Sequence, residues 1–476
     1  MVVGQRHQAL GERAIDAAAA VDQQLAGLDQ RSGCLGHGRR AYREDTAAVS
    51  ASRRALSIVG RISVDIAPLR ESRPYRALWI GQLVSMVGRQ ITVVAVPYQV
   101  YQLTHSSFAV GALGFVQVVP LVAVSLAGGA VADRVDRRRL LLLTQVLLGG
   151  CSSLLAAGAL LGTPPLGFVY AVTGAAAAVS AIDSPTRAAM IPNLVSRRQL
   201  PAAQMLNIAL FQTSLIAGPA LAGLVLSHAG LGAAYLIDVA TFAAAVIALL
   251  MVPPQPPRGE RREAPLAAIG RGLAFIARQP AVLGGFLIDL VAMIFGMRRA
   301  LFPVLAATTF HAGAGGLGLL FAAPAVGAVA AALSSGWLSR RSRLGTVIVV
   351  SVAVWGASVA GFGLVSSLWP ALALLAVGGA ADTYSAVCRS TMLQTITPDE
   401  LRGRLSSVYF MVVVGGPYLG DIEAGSVGSA VSPEASIVSG GAIVLLGTVA
   451  VAAGFPALLR YRQHPTTTEH RDTESR

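Results

Sequence analysis

The chain has 476 residues, 54% of them apolar and only 13% Asp, Glu, Lys or Arg, against roughly 25% charged in a soluble globular protein. Its mean hydropathy of +0.63 and its 51 glycines fit a chain dissolved mostly in lipid, where helices tolerate glycine better than in water. The formal charge is +13 and all 37 basic residues are Arg, so the missing Lys excludes a Walker A phosphate loop and a Schiff-base lysine.

Residues 1–70 are polar and of mixed sign, without the basic, apolar and cleavage regions of a signal peptide. They are expected to form a disordered cytoplasmic tail, with one short helix around Ile15–Leu28. The functional chain is expected to begin near Val59 or Val64, just ahead of DIAPLRESRPYRALW. Twelve predominantly apolar stretches then follow, each of about the 20 residues that cross a bilayer. They are 77–103, 108–132, 139–162, 166–190, 204–228, 231–252, 280–303, 313–338, 344–366, 369–393, 405–428 and 435–459. The Pro-rich, charged stretch PPQPPRGERREAP, Pro253–Pro265, cannot continue a helix. It divides a bundle over 71–252 from one over 280–460, with a cytoplasmic linker at 253–279 and a cytoplasmic tail at 461–476.

Connections between the stretches alternate in charge. One set carries Arg134, Arg137–Arg139, Arg197, Arg198, Arg258, Arg261, Arg262, Arg271, Arg278, Arg340, Arg341, Arg343, Arg402 and Arg404. The turns near His105, Pro164, His228, His311, Ser367 and Pro433 carry no arginine. The positive-inside rule places the first set, and both termini, in the cytoplasm. This distribution accounts for the basic balance without nucleic acid, which is not expected as a partner.

The two halves repeat. Arg187 in AIDSPTRAAMIPNL lies 202 residues before Arg389 in AADTYSAVCRSTMLQTI, and Met190 matches Met392 at that offset. IAGPALAG, Ile216–Gly223, matches VGGPYLGD, Val414–Asp421, and the loop after Gly129 matches weakly the loop after Gly336. Duplicated six-helix halves with a site between them suit an alternating-access transporter.

The most specific motif is GAVADRVDRRR, Gly129–Arg139, joining the second and third stretches. Asp133 there sits at a helix C-terminus, where the helix dipole disfavours a carboxylate, so it needs a partner and suits a charged latch. In this loop Gly129, Asp133, Arg134, Arg137 and Arg138 resemble the signature of the major facilitator superfamily, with Asp136 where that family usually has Gly. In the second-half copy only Gly336 and Arg340 remain. The fifth stretch, LIAGPALAGLV, resembles the superfamily's antiporter motif through Gly218, Pro219 and Gly223, which permit bending and close contact. The Arg-Ala-Leu-Trp opening, Ala95-Val96-Pro97 and Thr104-His105-Ser106 resemble the branch that contains the enterobactin exporter and related drug efflux proteins, over about residues 64–460. The resemblance implies an all-α membrane protein of twelve transmembrane helices in two pseudo-symmetric six-helix bundles. It also implies an inner-membrane exporter of a small amphipathic compound, such as a siderophore or a drug, driven by protons and expected as a monomer; import of a similar cargo, or a non-transporting receptor or scaffold on the same fold, is the alternative.

A charge at mid-membrane costs on the order of 3 kcal/mol unless it meets partners or water. Arg89, Asp183, Arg187, Asp238, Asp289, Arg298, Arg299, Asp382, Arg389, Asp421 and Glu423 fall inside the stretches. Asp183 and Arg187, four apart, share a helix face and are expected to pair. Asp238, Asp289, Asp382 and Asp421 are candidates for an acid that carries a coupling proton. Arg89 is placed to bind an anionic cargo or to neutralise one of these acids, and Gln82, Tyr98, Gln99, Gln117 and Gln212 are candidate cavity or interhelical polar groups. Cys34, Cys151 and Cys388 lie far apart, and neither a disulfide framework nor a metal cluster is expected from them. No nucleophile-and-base arrangement stands out at membrane depth, and no cofactor is expected.

Overall fold

In a lipid core every backbone N–H and C=O must be satisfied within its own segment, which leaves the helix as the spanning element for a chain patterned like this one. The computed structural model describes residues 65–132, 135–256 and 265–462. The tail over 1–64, its short helix and start site, Cys34, Asp133, Arg134 and the arginines of the 257–264 stretch lie outside the described residues.

Twelve long helices are present: α1 (Arg73–Thr104), α2 (Ser107–Ala132), α3 (Arg137–Leu161), α4 (Leu166–Leu194), α5 (Leu200–His228), α6 (Gly230–Leu250), α7 (Pro280–Thr308, with an interruption), α8 (Gly313–Ser334), α9 (Leu344–Phe362), α10 (Leu368–Ile396), α11 (Asp399–Ala430) and α12 (Pro433–Gly454). Eleven are long and apolar enough to cross a membrane, and α11, which holds Asp421, Glu423 and a run of Gly and Ser, is the twelfth. Local chemistry sets the ends. Ser72 caps α1 by accepting from Tyr75 N at 3.2 Å, and Ser432 caps α12 by accepting from Ala435 N at 3.0 Å. α1 and α7 are each followed by a histidine in the left-handed region, His105 and His311, both at φ 50°. These residues act as turn formers at matching places in the repeat.

The expected spans differ from the helices mainly where proline intervenes. α7 stops at Gly296, tightens into a 3-10 turn at Arg299–Leu301 and resumes as Phe302–Thr308. Pro303 has no N–H to offer the carbonyl four residues earlier, and the chain closes that turn with shorter-range bonds. α12 ends before Pro456, and a separate short helix, Pro456–Arg460, follows. Within the expected linker, Pro265–Arg278 forms an amphipathic helix that buries Ile276 against Val282 and Leu405.

The packing repeats as the sequence does. α1 packs on α5 and α6, α3 on α4 and α6, and α2 on α4; in the second half α7 packs on α11 and α12, α9 on α10 and α12, and α8 on α10. Each pairing of the first half recurs six helices later. Leu143, Val146, Leu147 and Leu154 of α3 and Leu446 and Val449 of α12 face outward, as lipid-facing positions do. The matched methionines Met190 and Met392 are both buried.

Between the halves, α2 meets α11 and α5 meets α8. Both seams close on glycine: a Cβ on Gly111 would stand 2.8 Å from Gly425 Cα, and one on Gly318 would stand 2.7 Å from Gly223 Cα. All four residues lie toward the ends of their helices that carry the arginine-free turns at His105, His228, His311 and Pro433. Overpacking a filled contact costs about 1–3 kcal/mol. Gly318→Leu is therefore expected to lower the thermal unfolding midpoint of the detergent-purified protein, whereas Gly315→Leu, with nothing within 4 Å of its Cβ position, leaves it near wild type. Equal midpoints for the two variants would refute the seam.

Candidate functional site

Charged side chains at membrane depth fall into four groups. In α4, Arg187 Nη2 lies 2.9 Å from Asp183 Oδ2. The other oxygen of Asp183 accepts from Thr144 Oγ1 at 2.7 Å and Gln145 Nε2 at 2.8 Å, both from α3. Thr144 and Gln145 were not singled out by sequence; their only signal was polarity inside the leucine-rich start of α3. Asp238 of α6 is 1% exposed, and its Oδ2 accepts from Thr92 of α1 and Ser152 of α3, each at 2.7 Å. Arg89 is exposed on α1 within electrostatic range of Asp238.

The second bundle carries the other two groups. Arg389 stands where the repeat places Arg187, but Ser385 replaces the acid four residues earlier. Its Nη1 donates to Ser385 Oγ at 3.0 Å, while Nη2 lies 2.7 Å from Asp289 Oδ1 on α7 and 3.8 Å from Asp382 Oδ1 on its own helix. At the break in α7, Arg298 pairs with Glu423 and donates to Ser436 Oγ at 3.3 Å. Arg299 Nη2 lies 3.9 Å from Asp421 Oδ2, and Ala300 N donates to Asp421 Oδ1 at 3.0 Å. Asp421 also borders the α2–α11 seam, with its carbonyl beside Gly111.

In the loop between α2 and α3, Gly129 lies in the last turn of α2. Asp136 caps α3, accepting from Arg139 N at 3.0 Å and Gln255 N at 2.8 Å. This gives a local reason for an acid at the position where the resemblance led one to expect glycine. Arg137 donates to Ala189 O at 3.1 Å, and Arg138 donates to Leu249 O at 3.1 Å and Leu250 O at 2.9 Å. These carbonyls lie toward the C-terminal ends of α4 and α6, where cations are favoured. Both arginines thus bind within the first bundle.

Gly218, Pro219 and Gly223 are buried, Gly218 against α1 at Val87 and Gln90 and Gly223 against α8. The uncharged polar candidates are mostly engaged. Gln99 accepts from Tyr235 OH at 2.7 Å, Gln117 donates to Leu113 O at 3.1 Å, and Tyr98 OH accepts from Gln102 at 2.6 Å. Gln82 is buried beside Met86, and Gln212 is half-buried. A shallow, open apolar groove runs between α2 and α4, lined by Val116, Pro120, Tyr170, Ala171, Gly174 and Ala178. Tyr170, another residue not picked out by sequence, is fixed by donating to Ala109 O at 2.6 Å. No cluster of metal ligands occurs among the described residues.

A family model described as a transmembrane secretion effector matches residues 63–467. The chain belongs to this family, within the major facilitator superfamily. It is 28% identical over 403 residues to the enterobactin exporter EntS of Citrobacter koseri (strain ATCC BAA-895), covering 84% of this chain and 96% of that one. Identity to EntS of Shigella boydii serotype 18 is also 28%, over 402 residues with the same coverage. Solved structures of similar fold include a POT family transporter in complex with 5-aminolevulinic acid, with a TM-score of 0.67, 11% identity, and 81% of this chain and 97% of that chain covered. A bacterial homologue of the iron transporter ferroportin in an inward-facing state aligns with a TM-score of 0.61 and 15% identity over 82% of this chain and 99% of that one. The protein is thus a multi-pass membrane transporter with the major facilitator fold.

In this transporter both carboxylate oxygens of Asp183 are engaged, one by Arg187 and the other by Thr144 and Gln145. Removing one partner of a buried pair costs about 3–5 kcal/mol because it strands the other charge. Asp183→Asn is expected to lower the unfolding midpoint in detergent sharply, and Asp183→Asn with Arg187→Gln to recover part of the loss. A double variant no more stable than the single one would contradict the pairing.

Proposed function

We propose that the protein is a proton-coupled exporter of a small amphipathic compound, siderophore-like or drug-like, acting as a monomer in the cytoplasmic membrane with both termini inside. The observation that carries the alternating-access part of this reading is the position of the seams: α2–α11 and α5–α8 close on glycine at the arginine-free end. The positive-inside rule supports that end lying outside the cell, which makes this the conformation closed to the exterior, one of the two states of an alternating-access carrier. The exporter relatives and the secretion family support the direction. The Gly218, Pro219 and Gly223 motif, at the α1 and α8 contacts of α5, supports exchange. The apolar groove beside Tyr170 supports a cargo with aromatic or aliphatic faces.

In this mechanism cargo enters from the cytoplasm or the inner leaflet, the halves rock, and cargo leaves as a proton is taken up from outside. Direction comes from the different affinities of the two states for cargo and proton, and no covalent bond is made or broken. We assign the cytoplasmic latch to Gly129, Asp133, Arg134, Arg137 and Arg138, on the motif that resembles the superfamily signature.

Cells expressing the protein are expected to accumulate several-fold less ethidium, or to release more catecholate siderophore, than cells without it. A protonophore and Asp133→Asn should each abolish the difference. Unchanged levels of both compounds, with the protein confirmed in the membrane, would overturn the reading; loading from the opposite face in inverted vesicles would reverse its direction.

A further inference from the structure

The two arginines of the repeat sit in exchanged surroundings. In α4 the order is Ser180, Asp183, Arg187; at the same offset in α10 it is Asp382, Ser385, Arg389. Acid and serine have changed places, and a second acid, Asp289, has been added from α7. The first half therefore balances one guanidinium with one carboxylate, whose oxygens are engaged by Arg187, Thr144 and Gln145. The second half sets two carboxylates against one guanidinium, and no hydroxyl or amide among the described residues donates to either oxygen of Asp289.

Among the described residues, the charged groups acting on Asp289 are Arg389 and Asp382, both from α10. Cys388 is buried beside Arg389 on the same helix. α9 carries no charged residue, and Glu434, the one acid of α12, lies in its first turn and accepts from Thr309. The described acids of α11, Asp421 and Glu423, lie further along, at the break in α7, and are taken up by Arg299 and Arg298. With both acids ionised, the cluster holds a net charge of −1 in a site where the Asp289 side chain is 0% exposed. An uncompensated charge at membrane depth is strongly disfavoured.

We propose that Asp289, Asp382 and Arg389 form the proton-binding site of the transporter. Asp289, nearest the guanidinium, stays ionised and holds Arg389. The carboxylate of Asp382, at 3.8 Å from the guanidinium and 26% exposed, accepts a proton from hydronium, forming one O–H bond as one hydronium O–H bond breaks and leaves water, which brings the cluster to neutrality; on the reverse step the acid's O–H bond breaks and the proton passes back to water as hydronium. The neutral cluster tolerates loss of water around α10 and the charged one does not, so protonation biases the equilibrium between open and closed states. This deepens the exchange reading above and rests on it.

The test is infrared difference spectroscopy of the full-length protein in liposomes, titrated from alkaline to acid pH and read at the carbonyl stretch of a buried protonated carboxyl. Wild type should gain this band. Asp289→Asn and Asp382→Asn should each lose it, because one acid against one arginine is neutral without a proton. Asp183→Asn should keep it. Asp382→Asn leaves the closer ion pair intact and serves if Asp289→Asn fails to fold. A band absent from wild type, or one that survives both variants, overturns the proposal. Gradient-driven ethidium transport in the same liposomes separates the two readings. Transport with a band insensitive to both variants refutes the site alone, and a variant-sensitive band without gradient dependence refutes the exchange reading while leaving the proton site in place.

Discussion

A charge placed among lipid tails has to be neutralised by whatever side chains can reach it, and that constraint ties these helices together. Asp183 and its partners bind α3 to α4, and Asp238 draws hydroxyls from α1 and α3 onto α6. Arg389 binds α10 to α7, while Arg298 and Arg299 bind the broken middle of α7 to α11. Each of these ties stays inside one half. Among the described residues the halves meet instead through close glycine backbone and a shared apolar core, so polar attraction ties helices within each bundle without fixing one bundle to the other.

Much of this was legible in the sequence because hydrophobic length is a one-dimensional property. The twelve apolar stretches fall on the twelve helices, and the Asp183–Arg187 pair could be read because partners four residues apart must share a helix face. The link from Asp289 to Arg389 could not, since the two are a hundred positions apart and meet only once α7 lies against α10. The carbonyl contacts of Arg137 and Arg138 were hidden for the same reason: they depend on where α4 and α6 come to an end. The interruption in α7 had a visible cause in Pro303, yet Pro97 sits at the matching place in α1 without breaking it. What differs is the neighbouring pair Arg298 and Arg299, whose side chains find acids on α11.

Symmetry supplies the architecture, and its lapses supply candidate chemistry. Five helix pairings recur between the halves, as do the histidine turns and the buried methionines. The charged clusters do not recur. The first half closes its arginine with a matched acid and donors on an adjacent helix, whereas the second spreads two acids over two helices. One copy is built to stay as it is, and the other is left with a choice of charge state.

Bare backbone at the seams has a mechanical meaning. Where large side chains interdigitate, two surfaces part only after many rotamers have changed together. At Gly111 against Gly425, and at Gly223 against Gly318, there is nothing to disengage, and the joint behaves as a smooth bearing with little friction of its own. The pace of switching then falls to the water and charge that must be rearranged elsewhere, and so to whatever occupies the bundles' polar centres.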